Sequence, residues 1–175
     1  EQVRNWELEN MEDYDTCNPG SSALRAALGR GMQAELANLL GQHTAGLFHD
    51  WEKFFDTINI NVLLTEALQT DYPPVHMAFA MQQHLAPRML KLHNFLGRPI
   101  EVCNSIIAGC RQSVPFTRVY MKREIKNVCN NYQNLLDTCE SQTGGLANTS
   151  LYVDDCAQTY RSESSDVVYN RLMNS

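Results

Sequence analysis

Long apolar runs are missing from this sequence: no stretch of its 175 residues approaches the roughly 20 consecutive apolar residues of a membrane-spanning helix, so no membrane anchor is expected. Glu1 to Asp15 hold six acids and no apolar core, which excludes a secretory signal among them. There is no initiator Met and the chain stops at Asn174-Ser175, features that read as those of a fragment or a processed chain. The six cysteines, at 17, 103, 110, 129, 139 and 156, never form a CxxC pair, and the five histidines never take an HExxH spacing, so a zinc site has no support. Without a signal, six cysteines read as buried reduced thiols rather than a disulfide framework, and the expected location is intracellular, with the nucleus left open. Internal repeats and low-complexity tracts are also lacking.

What remains is an ordinary globular composition: 43% hydrophobic, 19% charged, mean hydropathy −0.36, in a length suited to one domain rather than two catalytic ones. The net charge of −6 argues at first against a nucleic-acid partner, since phosphate binding needs lysine and arginine. Its distribution changes that reading. Residues 1–20 carry six acids against Arg4 alone, whereas Leu85 to Lys126 carries eight bases against Glu101 and Glu124.

Residues 1–20 therefore read as an acidic lead-in arm with a turn at Asn18-Pro19-Gly20. Ser21 or Ser22 caps an amphipathic helix in which Leu24, Leu28, Met32, Leu36, Leu39 and Leu40 recur at helical spacing up to Gly41. Thr44 to Asp50 reads as a short strand ending in a carboxylate, and helices are predicted from Ile60 to Gln69 and from Val75 to His84. Arg88 to Phe95 and Pro99 to Ser105 suggest a hairpin turning at Leu96-Gly97-Arg98. From Val114 to Val128, Thr117, Met121, Ile125 and Val128 make a core face beside a stripe of Arg118, Lys122 and Lys126, which either faces solvent or supports backbone phosphates. Asn130 to Asn148 reads as a loop that can include a short helical piece and ends in Thr143-Gly144-Gly145. Thr149 to Val153 and Cys156 to Tyr160 then form a hairpin with Asp154-Asp155 at its tip, and Ser164 or Ser165 caps a last amphipathic segment.

Like charges placed side by side at the ends of buried strands are costly, so carboxylates in such positions usually have a cation to neutralise them. Asp50, Asp154 and Asp155 offer the hard oxygen donors that suit Mg²⁺, which takes one or two carboxylates together with substrate phosphates. Two such ions clamp the attacking hydroxyl and the leaving oxygen of an in-line phosphoryl transfer. Taken alone, Asp-Asp is also simply a common turn.

With its surroundings, the pattern resembles the palm of reverse transcriptases of the non-LTR retrotransposon and group II intron kind, from about Ala45 to Asp166. The family's first motif is an Asp followed five positions later by an aromatic, matched by Asp50 and Phe55 in HDWEKFFDTI; its middle motif, a glycine loop and a serine opening a helix, is matched by Gly109 and Ser113 in AGCRQSVP. The third, aromatic-x-Asp-Asp, is matched by Tyr152-Val153-Asp154-Asp155.

The resemblance implies an α+β palm, a small antiparallel sheet backed by helices, with part of the fingers over residues 21–175 and no thumb. It implies RNA-directed DNA polymerase activity with two Mg²⁺ ions, Mn²⁺ as a substitute, and as partners a primed RNA or DNA template and deoxynucleoside triphosphates. Asp50, Asp154 and Asp155 would be catalytic and metal ligands, joined by the carbonyl of Trp51. Phe55, Gly109, Ser113 and Tyr152 would meet the nucleotide, with Phe55 excluding a 2′-hydroxyl; Arg111, Arg118, Lys122 and Lys126 would meet nucleic acid. The family's usual glutamine before the loop glycine is here Ala108, its proline after the serine falls later at Pro115, and no lysine follows Lys126. These departures leave room for the alternative of an inactive retroelement relic serving as a binding or scaffold module.

Overall fold

The computed structural model describes residues 1–18, 20–139 and 146–173. The elements are, in order, α1 (Gln2–Glu9), α2 (Ala23–Leu39), β1 (His43–Asp50), α3 (Phe54–Thr57), α4 (Ile60–Gln69), α5 (Pro74–His84), β2 (Lys91–Leu92), β3 (Phe95–Leu96), α6 (Ser113–Cys139), β4 (Leu146–Tyr152), β5 (Asp155–Ser162) and α7 (Ser165–Met173). The chain is α+β with small antiparallel sheets, as expected. It divides into two compact units, residues 1–10 with 52–122 and residues 11–51 with 123–175.

The first unit is mainly helical. Asn59 caps α4, its side-chain oxygen accepting from the N–H groups of Asn61 and Val62, and Pro74 opens α5 where a missing N–H costs nothing. Leu63 and Ala67 of α4 and Met77 of α5 enter a core with Phe54, Ile58, Ile106, Phe116 and Val119. The supposed arm contributes to this core. α1 buries Trp6, which packs edge-on against Tyr72 and donates its indole N–H to the Thr70 carbonyl at 2.6 Å. Burying an aromatic body while satisfying its N–H gives a polar segment a reason to fold.

The exposed hairpin in this unit turns at His93-Asn94, not at Leu96-Gly97-Arg98: Lys91 pairs with Leu96 and Leu92 with Phe95, with a bridge from Arg88 to Ile100. His93 supplies the positive φ of 53° that such a tight turn requires, a role for which glycine is the usual sequence signal.

The second unit holds a three-stranded antiparallel sheet in the order β1-β5-β4. β5 is buried along most of its length because it has a neighbour on either side, whereas β1 alternates, with Ala45, Leu47 and His49 half-buried and Gly46, Phe48 and Asp50 exposed. Residues 14–16 protect the outer edge of β4: the Leu151 N–H donates to the Tyr14 carbonyl at 2.7 Å and the Thr16 N–H donates to the Leu151 carbonyl at 2.8 Å. Ser22 caps α2 through a bond from the Arg25 N–H. The apolar stripe of α2 is its outer face, Leu24, Leu28, Met32 and Leu36 all being exposed; the small residues Ala27, Gly31 and Ala34 line the side toward the sheet.

α6 continues without a break to Cys139, through residues expected to form a loop with at most a short helical piece. The expected turn at Asn18-Pro19-Gly20 lies partly, and the loop at Thr143-Gly144-Gly145 wholly, outside the described residues. The cysteines are less buried than expected. Of the five with described side chains, all free thiols, only Cys156 is buried; Cys17, Cys110 and Cys129 are half-buried and Cys103 is exposed.

Candidate active site

Asp50, Asp154 and Asp155 all lie at one end of the sheet in the second unit. Asp50 ends β1 and is the direct partner of Asp155, which opens β5; Tyr152 is the partner of Asp155 on the other side. Cross-strand partners project to one face, so Asp50, Asp155 and Tyr152 share it. Val153 and Asp154 make the two-residue turn of the β4–β5 hairpin, so Asp154 alone of the acid pair stands at the tip. Val153 has φ 60°, a conformation costly for a β-branched residue, of the kind that persists where the surroundings enforce it. Next to Asp50, the half-buried Trp51 stacks its ring on His49 at 6.3 Å.

Among the described residues, no three His, Cys, Asp or Glu side chains stand close enough to hold a metal ion by themselves. The arrangement is a carboxylate pair across two strands with a third in the adjoining turn. That donor set fits Mg²⁺, for which one or two carboxylates suffice when water and phosphate oxygens complete the shell.

The other expected site residues lie in the first unit. Phe55 is half-buried on α3, its ring edge-on to that of Phe54 at 5.7 Å. Gly109 has φ 77°, which makes glycine the natural residue for its turn, and it is exposed beside Arg111. Ser113 is 2% exposed and its hydroxyl donates to the Ile107 carbonyl, so it holds the loop to the start of α6. The same loop is pinned by His84, a residue given no role by its sequence context. His84 is fully buried, its Nδ1 accepts the Ile107 N–H at 2.8 Å, and burial, with Arg88 second, pushes its pKa below the usual value.

The basic stripe of α6 is neither a bare solvated face nor an open phosphate site. The Arg118 guanidinium pairs with Glu7, the Lys122 ammonium donates to the Asn10 side chain at 2.9 Å, and Lys126 meets Glu12 at 3.4 Å. The acidic beginning of the chain and the basic stripe answer one another, a relation that separate charge counts of the two segments cannot reveal. Arg111, by contrast, is exposed in the loop before α6.

The Cys129 and Cys156 thiols and the Tyr14 and Tyr72 phenols are poor nucleophiles. Burial pushes Cys156 up to about 11 and raises Cys129 as well, and burial likewise raises Tyr14 and Tyr72. No helix among the described residues is long and apolar enough to cross a membrane. No protein-family model matches the chain, and neither a curated protein nor a solved structure matches it.

Proposed function

We propose that the chain is the palm, with part of the fingers, of a reverse transcriptase, adding deoxynucleotides to a primer 3′-hydroxyl on an RNA or DNA template. The observation that carries this reading is the pairing of Asp50 with Asp155 at one sheet end, with Asp154 in the adjoining turn. Two motifs about a hundred residues apart in sequence thereby share one site, as two-metal phosphoryl transfer requires of its carboxylates.

In this reading Asp50, Asp154 and Asp155, with the Trp51 carbonyl, hold Mg²⁺ or Mn²⁺. The bound ions supply charge neutralisation at the phosphates and a more acidic primer hydroxyl. The resemblance gives Phe55 the role of restricting the space at the sugar, and gives the Gly109 turn with Arg111 contact with nucleotide and template. Arg118, Lys122 and Lys126 are spent on the N-terminal segment and contribute little to binding.

That internal pairing also favours a second reading, a relic without polymerase activity that serves as a binding or scaffold module. Extension of a labelled primer on an RNA template with dNTPs and Mg²⁺ separates the two. Product that disappears in Asp154→Asn supports the polymerase; no product, or product indifferent to that change, leaves the relic.

A further inference from the structure

α2 and the carboxylate-bearing face of the sheet enclose a cavity of about 690 Å³, within the range of small-molecule sites. Its floor is β1. Phe48 stands two residues before Asp50, on the same face, and keeps 69% of its surface exposed. Its ring lies back along the strand over Gly46, where an added Cβ would come within 3.2 Å of Phe48 Cε2, so the absence of a side chain at 46 makes room for that pose. The Arg30 guanidinium, 6.0 Å from the ring centroid, is steadied by a 3.0 Å bond to the Ser150 hydroxyl. Arg161 and Asn148 line the wall, and among the described residues no acid does.

A largely exposed aromatic ring with the Arg30 guanidinium over it and Arg161 on the cavity wall, in a mostly apolar hollow with no carboxylate among its described lining residues, is complementary to a flat, anionic ligand that slips between ring and guanidinium as Arg30 swings aside. We propose that this cavity binds a nucleobase with its phosphate, the base stacked on Phe48 and the phosphate held by Arg30 and Arg161. Choosing a nucleotide among flat anions rests on the polymerase reading. Stacking explains why so large an apolar ring stays exposed on a sheet, as in proteins that carry single strands on aromatic platforms. Two sources share this chemistry, a free nucleotide and a residue of a bound strand, and the cavity lies about two strand residues from the paired carboxylates, roughly 7 Å along β1.

The test is binding of two probes, dAMP and a labelled (dA)10 oligonucleotide, to the whole chain in EDTA. Saturable binding of dAMP identifies the free nucleotide as a ligand; binding of (dA)10 alone identifies a strand. In either case Phe48→Ala weakens binding about tenfold, as expected for a lost stacking partner. Phe48→Leu, which keeps an apolar side chain on the strand, weakens it similarly, and Gly46→Val does so by displacing a ring that is still present. Arg30→Gln with Arg161→Gln flattens the salt dependence. Absence of binding by both probes overturns the proposal, as does binding unchanged in folded Phe48→Leu. Asp154→Asn retains probe binding, so failure of primer extension alone leaves the cavity assignment standing, while loss of probe binding alone leaves the polymerase reading standing.

Discussion

Asp50 and Asp155 are direct cross-strand partners at the end of β1 and β5, two acids facing the same side of the sheet. Opposed like charges destabilise a strand pair by roughly 0.2–1 kcal/mol. Asp155→Asn should therefore raise the urea midpoint of the protein in EDTA while weakening its hold on Mn²⁺. A variant that loses stability in EDTA would show that the pair serves the fold and not a cation.

The N-terminal pairing makes an unequal prediction along one helix. Arg118 and Glu7 are mostly shielded, with side chains 12% and 20% exposed, so Arg118→Ala leaves a shielded carboxylate alone and should cost about 1–3 kcal/mol. Lys126 is 54% exposed, and Lys126→Ala should cost under about 1 kcal/mol. Urea unfolding of the two variants, at low and high salt, measures both. Equal costs would contradict the graded burial of the stripe.

His84 predicts a pH dependence. Its folded pKa lies below the ordinary 6.5, so the unfolded chain takes up the proton first as pH falls. Its neutral form serves the fold fully above about pH 6.5, and that stability is lost as the pH drops below 6.5 toward the folded pKa. His84→Gln keeps an acceptor for the Ile107 N–H and removes the proton. The slope of stability against pH between about 7 and 5 should be shallower in the variant by up to one proton. An unchanged slope would assign the acid sensitivity to other groups.

Phe55 carries the prediction about the sugar. If its half-buried ring closes the space where a 2′-hydroxyl would sit, overpacking of about 1–3 kcal/mol rejects ribonucleotides by roughly tenfold or more. Phe55→Val should raise ribonucleotide incorporation relative to deoxynucleotide. A well-folded variant with an unchanged ratio would make Phe55 a core residue only.

Elements with local punctuation were legible in the sequence. α4 is legible with its observed bounds because Val62, Leu63, Leu64 and Leu68 recur at helical spacing and Pro73-Pro74 ends the repeat, and the β4–β5 hairpin is legible from two short runs around an acidic turn. α1 was missed because a single buried Trp6 fixes it, and one residue makes no period. The extension of α6 was missed because residues 130–139 are polar, while the helix preceding them continues. For α2 the apolar stripe marked a helix correctly but named the wrong inward face, since small residues line the side toward the sheet. In the site, the grouping of Asp50 with the Asp-Asp hairpin followed from motif order. Phe48 was overlooked although its spacing from Asp50, two positions on a strand, places both on one face. The internal pairing of Arg118, Lys122 and Lys126 depends on contacts more than a hundred residues distant in sequence, which no local pattern encodes.

The most direct measurement is the affinity of the chain for Mn²⁺ in the presence of dTTP, read by electron paramagnetic resonance, in the natural protein and in Asp50→Asn and Asp155→Asn. A cation held between β1 and the β4–β5 hairpin predicts a saturable complex in the natural protein, weakened about tenfold or more when either carboxylate becomes an amide, with the sheet intact by circular dichroism. Equal Mn²⁺ binding in all three proteins, or none in any, would contradict the assignment of this sheet end as the metal site of a nucleotidyl-transfer centre.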